Sequence, residues 1–194
     1  MPVVTSAPIG LDEFLSLSAQ AAPDETLELI DGELQSRATK TRSPKHAIAF
    51  ARSGHQLLGW LESDPNRVGS VAGGESRCRL RRNPQTIVGI DVGVWLGEEF
   101  REAPESPPLF DAPPVLAIEV LSLSDTHASV SERVRLFLDC GVPIVWVADA
   151  SFQTVAVYRK DREPQLFSAS QEITAEPELP GFKTLVRNLF TGVR

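Results

Sequence analysis

Short apolar stretches alternate with polar, proline-marked breaks along the chain, and their spacing predicts most of its elements. Leu11, Phe14 and Leu15 recur at helical intervals, which predicts a short amphipathic helix near residues 10–19. The segment from Leu27 to Leu34 reads as a β-hairpin turning at Asp31-Gly32. Ser43-Pro44 marks a helix start, and the helix that follows carries Ala47, Phe50, Ala51, Gly54, Leu58 and Leu61 on one face until Asp64-Pro65-Asn66 ends it. Strands are expected near 68–72, 77–81, 87–95 and 115–121, with Gly73-Gly74 as a turn and an acidic, proline-rich loop over roughly 97–114. A helix near 128–140 turns Val130, Val134, Phe137 and Leu138 inward and runs up to Gly141, a residue suited to a helix C-terminus. Two more strands, 144–147 and 155–158, turn near Ala150-Ser151, and a weaker segment closes the chain with Leu185 to Phe190. Residues 1–8 read as a loose tail and 9–194 as a single domain, an α/β chain of mixed type whose sheet is flanked by helices.

Two of the apolar runs carry one acid each. Asp91 lies within Ile87-Val88-Gly89-Ile90-Asp91-Val92-Gly93-Val94-Trp95, and Glu119 within Val115-Leu116-Ala117-Ile118-Glu119-Val120-Leu121. Alternation puts Asp91 on a face with Gly89 and Gly93, and Val88, Ile90, Val92 and Val94 on the other. A buried carboxylate is costly unless it is paired or binds a cation. Two on neighbouring strands would make a hard oxygen site suited to Mg²⁺ or Mn²⁺. The alternative is that each acid pairs with a buried arginine, for which Arg77, Arg79 and Arg81 are at hand. Glu28, between Leu27 and Leu29, is a third acid that either joins such a cluster or faces solvent from the hairpin.

The net charge of −7 argues against wholesale non-specific nucleic-acid binding but leaves room for a local basic groove. Arg37, Lys40, Arg42 and Lys45 form one basic group, and Arg77, Arg79, Arg81 and Arg82 another; either could track phosphates or be a solvated loop or strand edge. His46 falls in the first turn of its helix and could touch a phosphate or simply be solvated, while His55 falls on the opposite face, so the two cannot share a metal. Zinc-ligand spacings, phosphate-binding loops and nucleophile elbows are missing from the sequence. No run approaches the roughly 18 apolar residues of a membrane span, and no signal peptide is apparent. With Cys78 and Cys140 isolated, the expected location is cytoplasmic, with both thiols reduced.

Taken in order, Leu27-Glu28-Leu29-Ile30-Asp31-Gly32-Glu33-Leu34, Ser43-Pro44-Lys45-His46, Ile90-Asp91-Val92, Pro113-Pro114 leading to Ile118-Glu119-Val120-Leu121-Ser122, and Gly141-Val142-Pro143 leading to Val145-Trp146-Val147-Ala148-Asp149 resemble the Uma2 family of restriction-endonuclease-like proteins, a branch of the PD-(D/E)XK nuclease superfamily. The resemblance covers about residues 9–190. It implies a restriction-endonuclease-like mixed sheet and a metal-dependent endonuclease that hydrolyses phosphodiester bonds of DNA. Asp91, Glu119 and the backbone carbonyl of Val120 would hold Mg²⁺ or Mn²⁺, with Glu28 as a further catalytic acid. Arg42, Lys45, His46 and Arg79 are the candidate nucleic-acid contacts. The superfamily's lysine, two residues after the Glu, is Leu121 here; family members carry it on the following helix, where this chain has Arg133. The proline that usually precedes the Asp is Ile90. These departures feed the alternative of a catalytically weak or inactive nuclease-fold protein that binds nucleic acid or a protein partner. The resemblance also allows a homodimer.

Overall fold

A computed structural model describes residues 8–22, 25–38 and 43–193. The chain runs through α1 (Leu11–Gln20), β1 (Glu25–Ile30), β2 (Glu33–Ala38), α2 (Pro44–Glu62), β3 (Gly69–Arg82), β4 (Gln85–Leu96), β5 (Leu116–Val120), α3 (His127–Asp139), β6 (Val145–Asp149), β7 (Thr154–Tyr158), β8 (Gln165–Ser168), β9 (Glu172–Thr174) and β10 (Lys183–Leu185). Strands β2-β1-β4-β5-β6-β7-β8 lie side by side in one mixed sheet, β3 pairs along β4, and β9 and β10 form a small ribbon. Among the described residues only β5 and β6 pair in parallel within the large sheet, and α3 supplies the crossover that a parallel pair needs. The α/β architecture of mixed sheet and flanking helices is as the sequence predicts.

Each helix covers its own core. Beneath α2, Ala49, Leu57, Trp60 and Leu61 pack on Val92, Val94, Leu116, Ile118 and Trp146, together with Phe182, Leu189 and Phe190 from the C-terminal segment. On the other side of the sheet, Val134 and Phe137 of α3 pack on Val88, Ile90, Ala117, Val145 and Val147. The smaller α1 seats Phe14 against Leu29, Ile87 and Leu109.

The inner face of α2 differs from the expected one. Its buried residues are His46, Ala49, Ser53, Leu57, Trp60 and Leu61, whereas Leu58 is exposed. His46 and Ser53 are polar, so a hydrophobic pattern rotates the stripe away from them. Gly73-Gly74 is not a turn between two strands. It belongs to a bulge within one long β3, where the register against β4 shifts between Gly73 and Ser76. Gly74 and Glu75 both have left-handed backbones there (φ +81° and +61°). The bulge faces the middle of β4, and the residues assigned to one face of β4 divide there. Val88 and Ile90 join the α3 core, Val92 and Val94 the α2 core. The 97–114 loop folds back onto β3 and β4: Phe110 stacks on Trp95 at 4.0 Å, and Trp95 Nε1–H donates to the Ala112 carbonyl at 2.8 Å.

Candidate active site

Strand β4 is shared along one edge by two partners. β1 meets it at Leu29↔Ile87, and β5 pairs with it from Val92↔Ile118 to Val94↔Leu116. Residues 88–91 lie between these pairings, and side chains take up the backbone there. Gly89 N–H donates to Glu28 Oε1 at 3.1 Å, and the Gly89 carbonyl accepts from Arg133 Nη2. Val120 N–H, at the end of β5, donates to Asp91 Oδ2 at 2.9 Å. The polar cluster therefore replaces a stretch of strand ladder where the sheet splits, which is how an apolar interior tolerates these groups.

The register that pairs Val92 with Ile118 places Asp91 opposite Glu119, on the same side of two adjacent strands. Glu28 reaches the same place from β1, and Arg133 reaches it from the inward face of α3. Arg133 Nη1 donates to both Glu28 oxygens, at 2.9 and 3.0 Å, and Arg133 Nε stands 3.7 Å from Glu119 Oε1. The guanidinium lies over the Phe137 ring at 5.0 Å, which fixes its plane. Burial works against its charge, but the Glu119 and Glu28 carboxylates outweigh that and hold its pKa above the ordinary arginine value. Glu28 is 2% exposed and Asp91 5%, so neither is a solvated surface acid. Glu28, Asp91, Glu119, Val120 and Arg133 all line one cavity of about 520 Å³, bounded on the α3 side by Ser129, Val130 and Leu136.

Among the described residues, none of the arginines expected as buried partners for the acids fills that part; a cation that does stand beside Glu28 and Glu119 is Arg133. Arg79 is 7% exposed and is held by Asp111 through two hydrogen bonds, Nε to Oδ1 at 2.5 Å and Nη2 to Oδ2, so its guanidinium is engaged inside the protein rather than offered to phosphate. The Arg79 hydrogen bond holds the Asp111 carboxyl below its ordinary pKa. Arg81 pairs with Asp31. His46 is 3% exposed, which corrects the solvated alternative, and its Nε2 stands 3.4 Å from Asp91 Oδ2. Lys45, one position earlier, is exposed. Lys40 and Arg42 lie outside the described residues.

Sequence reasoning missed the neighbours that shape the Asp91 strand. Glu75 of the bulge brings Oε2 to 2.7 Å from where a Cβ on Gly89 would sit, so this acid also lies beside the split. A Cβ on Gly73 would meet the Phe50 ring at 2.6 Å and the Asp91 carbonyl at 2.8 Å, so a glycine is required for α2 to press this closely on β4. The only sequence signal for either was the Gly-Gly pair.

The chain matches the family model Uma2, described as a putative restriction endonuclease, over residues 11–188. It is similar in structure to a protein from Anabaena variabilis described as a putative nuclease belonging to DUF820. The TM-score is 0.74 at 22% identity, over 96% of this chain and 100% of that one. At that identity the likeness shows the shared fold. No curated protein matches the chain. The family match takes in the hairpin acid, both acids of the sheet and the arginine of α3, and it follows that this protein belongs to the Uma2 family.

Proposed function

We propose that the protein is a metal-dependent endonuclease that hydrolyses phosphodiester bonds of DNA. One observation carries this reading: two acids from neighbouring strands, Asp91 and Glu119, share a cavity with a partly buried, permanently charged Arg133. The donor set suits a hard divalent ion. Among the described residues no three His, Cys, Asp or Glu side chains gather as a metal cage, but Mg²⁺ is commonly held through one or two carboxylates with waters completing its shell. Asp91, Glu119 and the Val120 carbonyl would hold Mg²⁺ or Mn²⁺. The ion, when bound, supplies Lewis-acid polarisation of a phosphoryl oxygen and a more acidic water.

The remaining work falls to the chain. Arg133 would stabilise negative charge that develops on a phosphate through its fixed positive charge, its fork of donors being taken by Glu28 and the Gly89 carbonyl. It cannot accept a proton, because a guanidinium stays protonated. Glu28 holds that fork in place by accepting two of its hydrogen bonds. Lys45, exposed at the start of α2, is a cation able to meet the nucleic-acid backbone. A homodimer would present two such centres to a duplex.

The deciding test is nicking of supercoiled plasmid with Mn²⁺ or Mg²⁺ by wild type and Glu119→Gln. Nicking by the wild type that disappears in the variant is the expected outcome. A second reading, a nuclease fold that binds without cutting, is favoured by the commitment of Arg133 to Glu28 and the Gly89 carbonyl. No nicking by the folded wild type would support it. In the same assay Arg133→Lys is expected to nick faster than wild type, since an ammonium can exchange its proton. Equal or slower nicking by a folded variant would remove Arg133 from the lysine's role.

A further inference from the structure

His46 presents a geometry that the nuclease reading does not use. Ser43 caps α2 by accepting the His46 N–H at 3.2 Å, and Pro44 fills the first helical position, so the first turn is rigidly set. That turn drives the His46 imidazole inward to 3% exposure. A ring so buried would normally be hydrogen-bonded. Among the described residues neither of its nitrogens has a hydrogen-bond partner of good geometry, and Nε2 approaches Asp91 Oδ2 at 3.4 Å. One turn later on the same helix face, Phe50 packs against Gly73 beside the Asp91 carbonyl. Helix α2 thus bears on Asp91 twice, at its carboxylate through His46 and beside its backbone through Phe50.

We infer that His46 is a positioning residue for Asp91. Its Nε2–H closes on Oδ2, the oxygen that also accepts Val120 N–H, and so fixes the rotation of the carboxylate towards the cavity. This inference rests on the reading of Asp91 as a metal ligand. Groups that orient a ligand in this way typically alter metal affinity by about 10–100-fold when removed.

The test is Mn²⁺ binding by calorimetry, with thermal unfolding of the metal-free protein alongside, for wild type, His46→Leu, His46→Gln and His46→Asn. His46→Leu is expected to bind Mn²⁺ about 10–100-fold more weakly than wild type. His46→Gln places an amide N–H near the position of Nε2 and is expected to recover most of that affinity, whereas His46→Asn is too short and does not. A purely structural histidine would lower the unfolding temperature of all three variants without ordering their affinities in this way. Wild-type affinity in folded His46→Leu would overturn the inference. Should that variant fail to fold, equal affinities for the Gln and Asn variants would do the same. A wild type that binds no Mn²⁺ would overturn the metal reading itself, and this inference with it.

Discussion

Arg133→Met is expected to destabilise the fold by about 3–5 kcal/mol, the usual cost of removing one partner from a buried ion pair. Methionine approximates the aliphatic stem and keeps contact with Phe137, so lost packing contributes little. The loss comes from charge. Glu28, at 2% exposure, is left without the guanidinium that bonds both its oxygens, Glu119 loses its neighbouring cation, and the Gly89 carbonyl loses a donor. Urea denaturation measures the effect. The double variant Glu28→Met, Arg133→Met should fall well short of the summed single losses, with a coupling of about 1–3 kcal/mol, because the carboxylate that needed the cation is gone. A single variant within about 1 kcal/mol of wild type would show that the cluster does not depend on this charge.

Asp91→Asn should behave in the opposite way, with a large effect on chemistry and a small one on folding. The asparagine side chain keeps a carbonyl oxygen able to accept Val120 N–H, so the unfolding free energy of the metal-free protein is expected to stay within about 1 kcal/mol of wild type. What is lost is a negative ligand for a divalent ion. If that ion contributes several kcal/mol to the transition state, nicking falls by about 10³-fold. Measured together, nicking rate and urea midpoint would separate the two acids' parts: on the proposed reading Asp91 would serve the reaction, and Glu28, through Arg133, the architecture. Asp91→Asn with near-wild-type nicking would remove Asp91 from the active site.

Where a feature is written in neighbouring residues, the sequence announces it. The hairpin turn is the clearest case: Asp31 and Gly32 take left-handed backbones at φ +54° and +82°, as an Asp-Gly pair between apolar runs predicts. Ser43-Pro44 starts α2 for equally local reasons. The two acids within apolar runs were visible for the same reason, since a charge among valines and isoleucines is an anomaly without knowledge of any partner. The partners were not visible. Arg79 looked like one of four basic residues on a strand, and only the fold of the 97–114 loop brings Asp111 to it. Gly73-Gly74 carries the same signal whether it ends a strand or bulges one; the register of β4 decides between them. The inner face of α2 differs from the expected one because the first turn, set by Ser43 and Pro44, turns the polar His46 inward beside Asp91, a placement that hydrophobicity cannot express.

The distance along the chain between Glu28 and Arg133 has a bearing on when the polar cluster can assemble. The two residues are separated by 105 positions, and Asp91 and Glu119 lie between them. No fragment of the chain that stops short of α3 contains the whole centre. Closing so long a loop is entropically costly until the intervening sheet has formed. During synthesis the hairpin, α2 and the long β3–β4 pair can emerge and fold while the polar cluster is still open. An enzyme of the kind proposed here would thus be inactive while its chain is still being made. It would gain its cutting centre only when its last helix has docked.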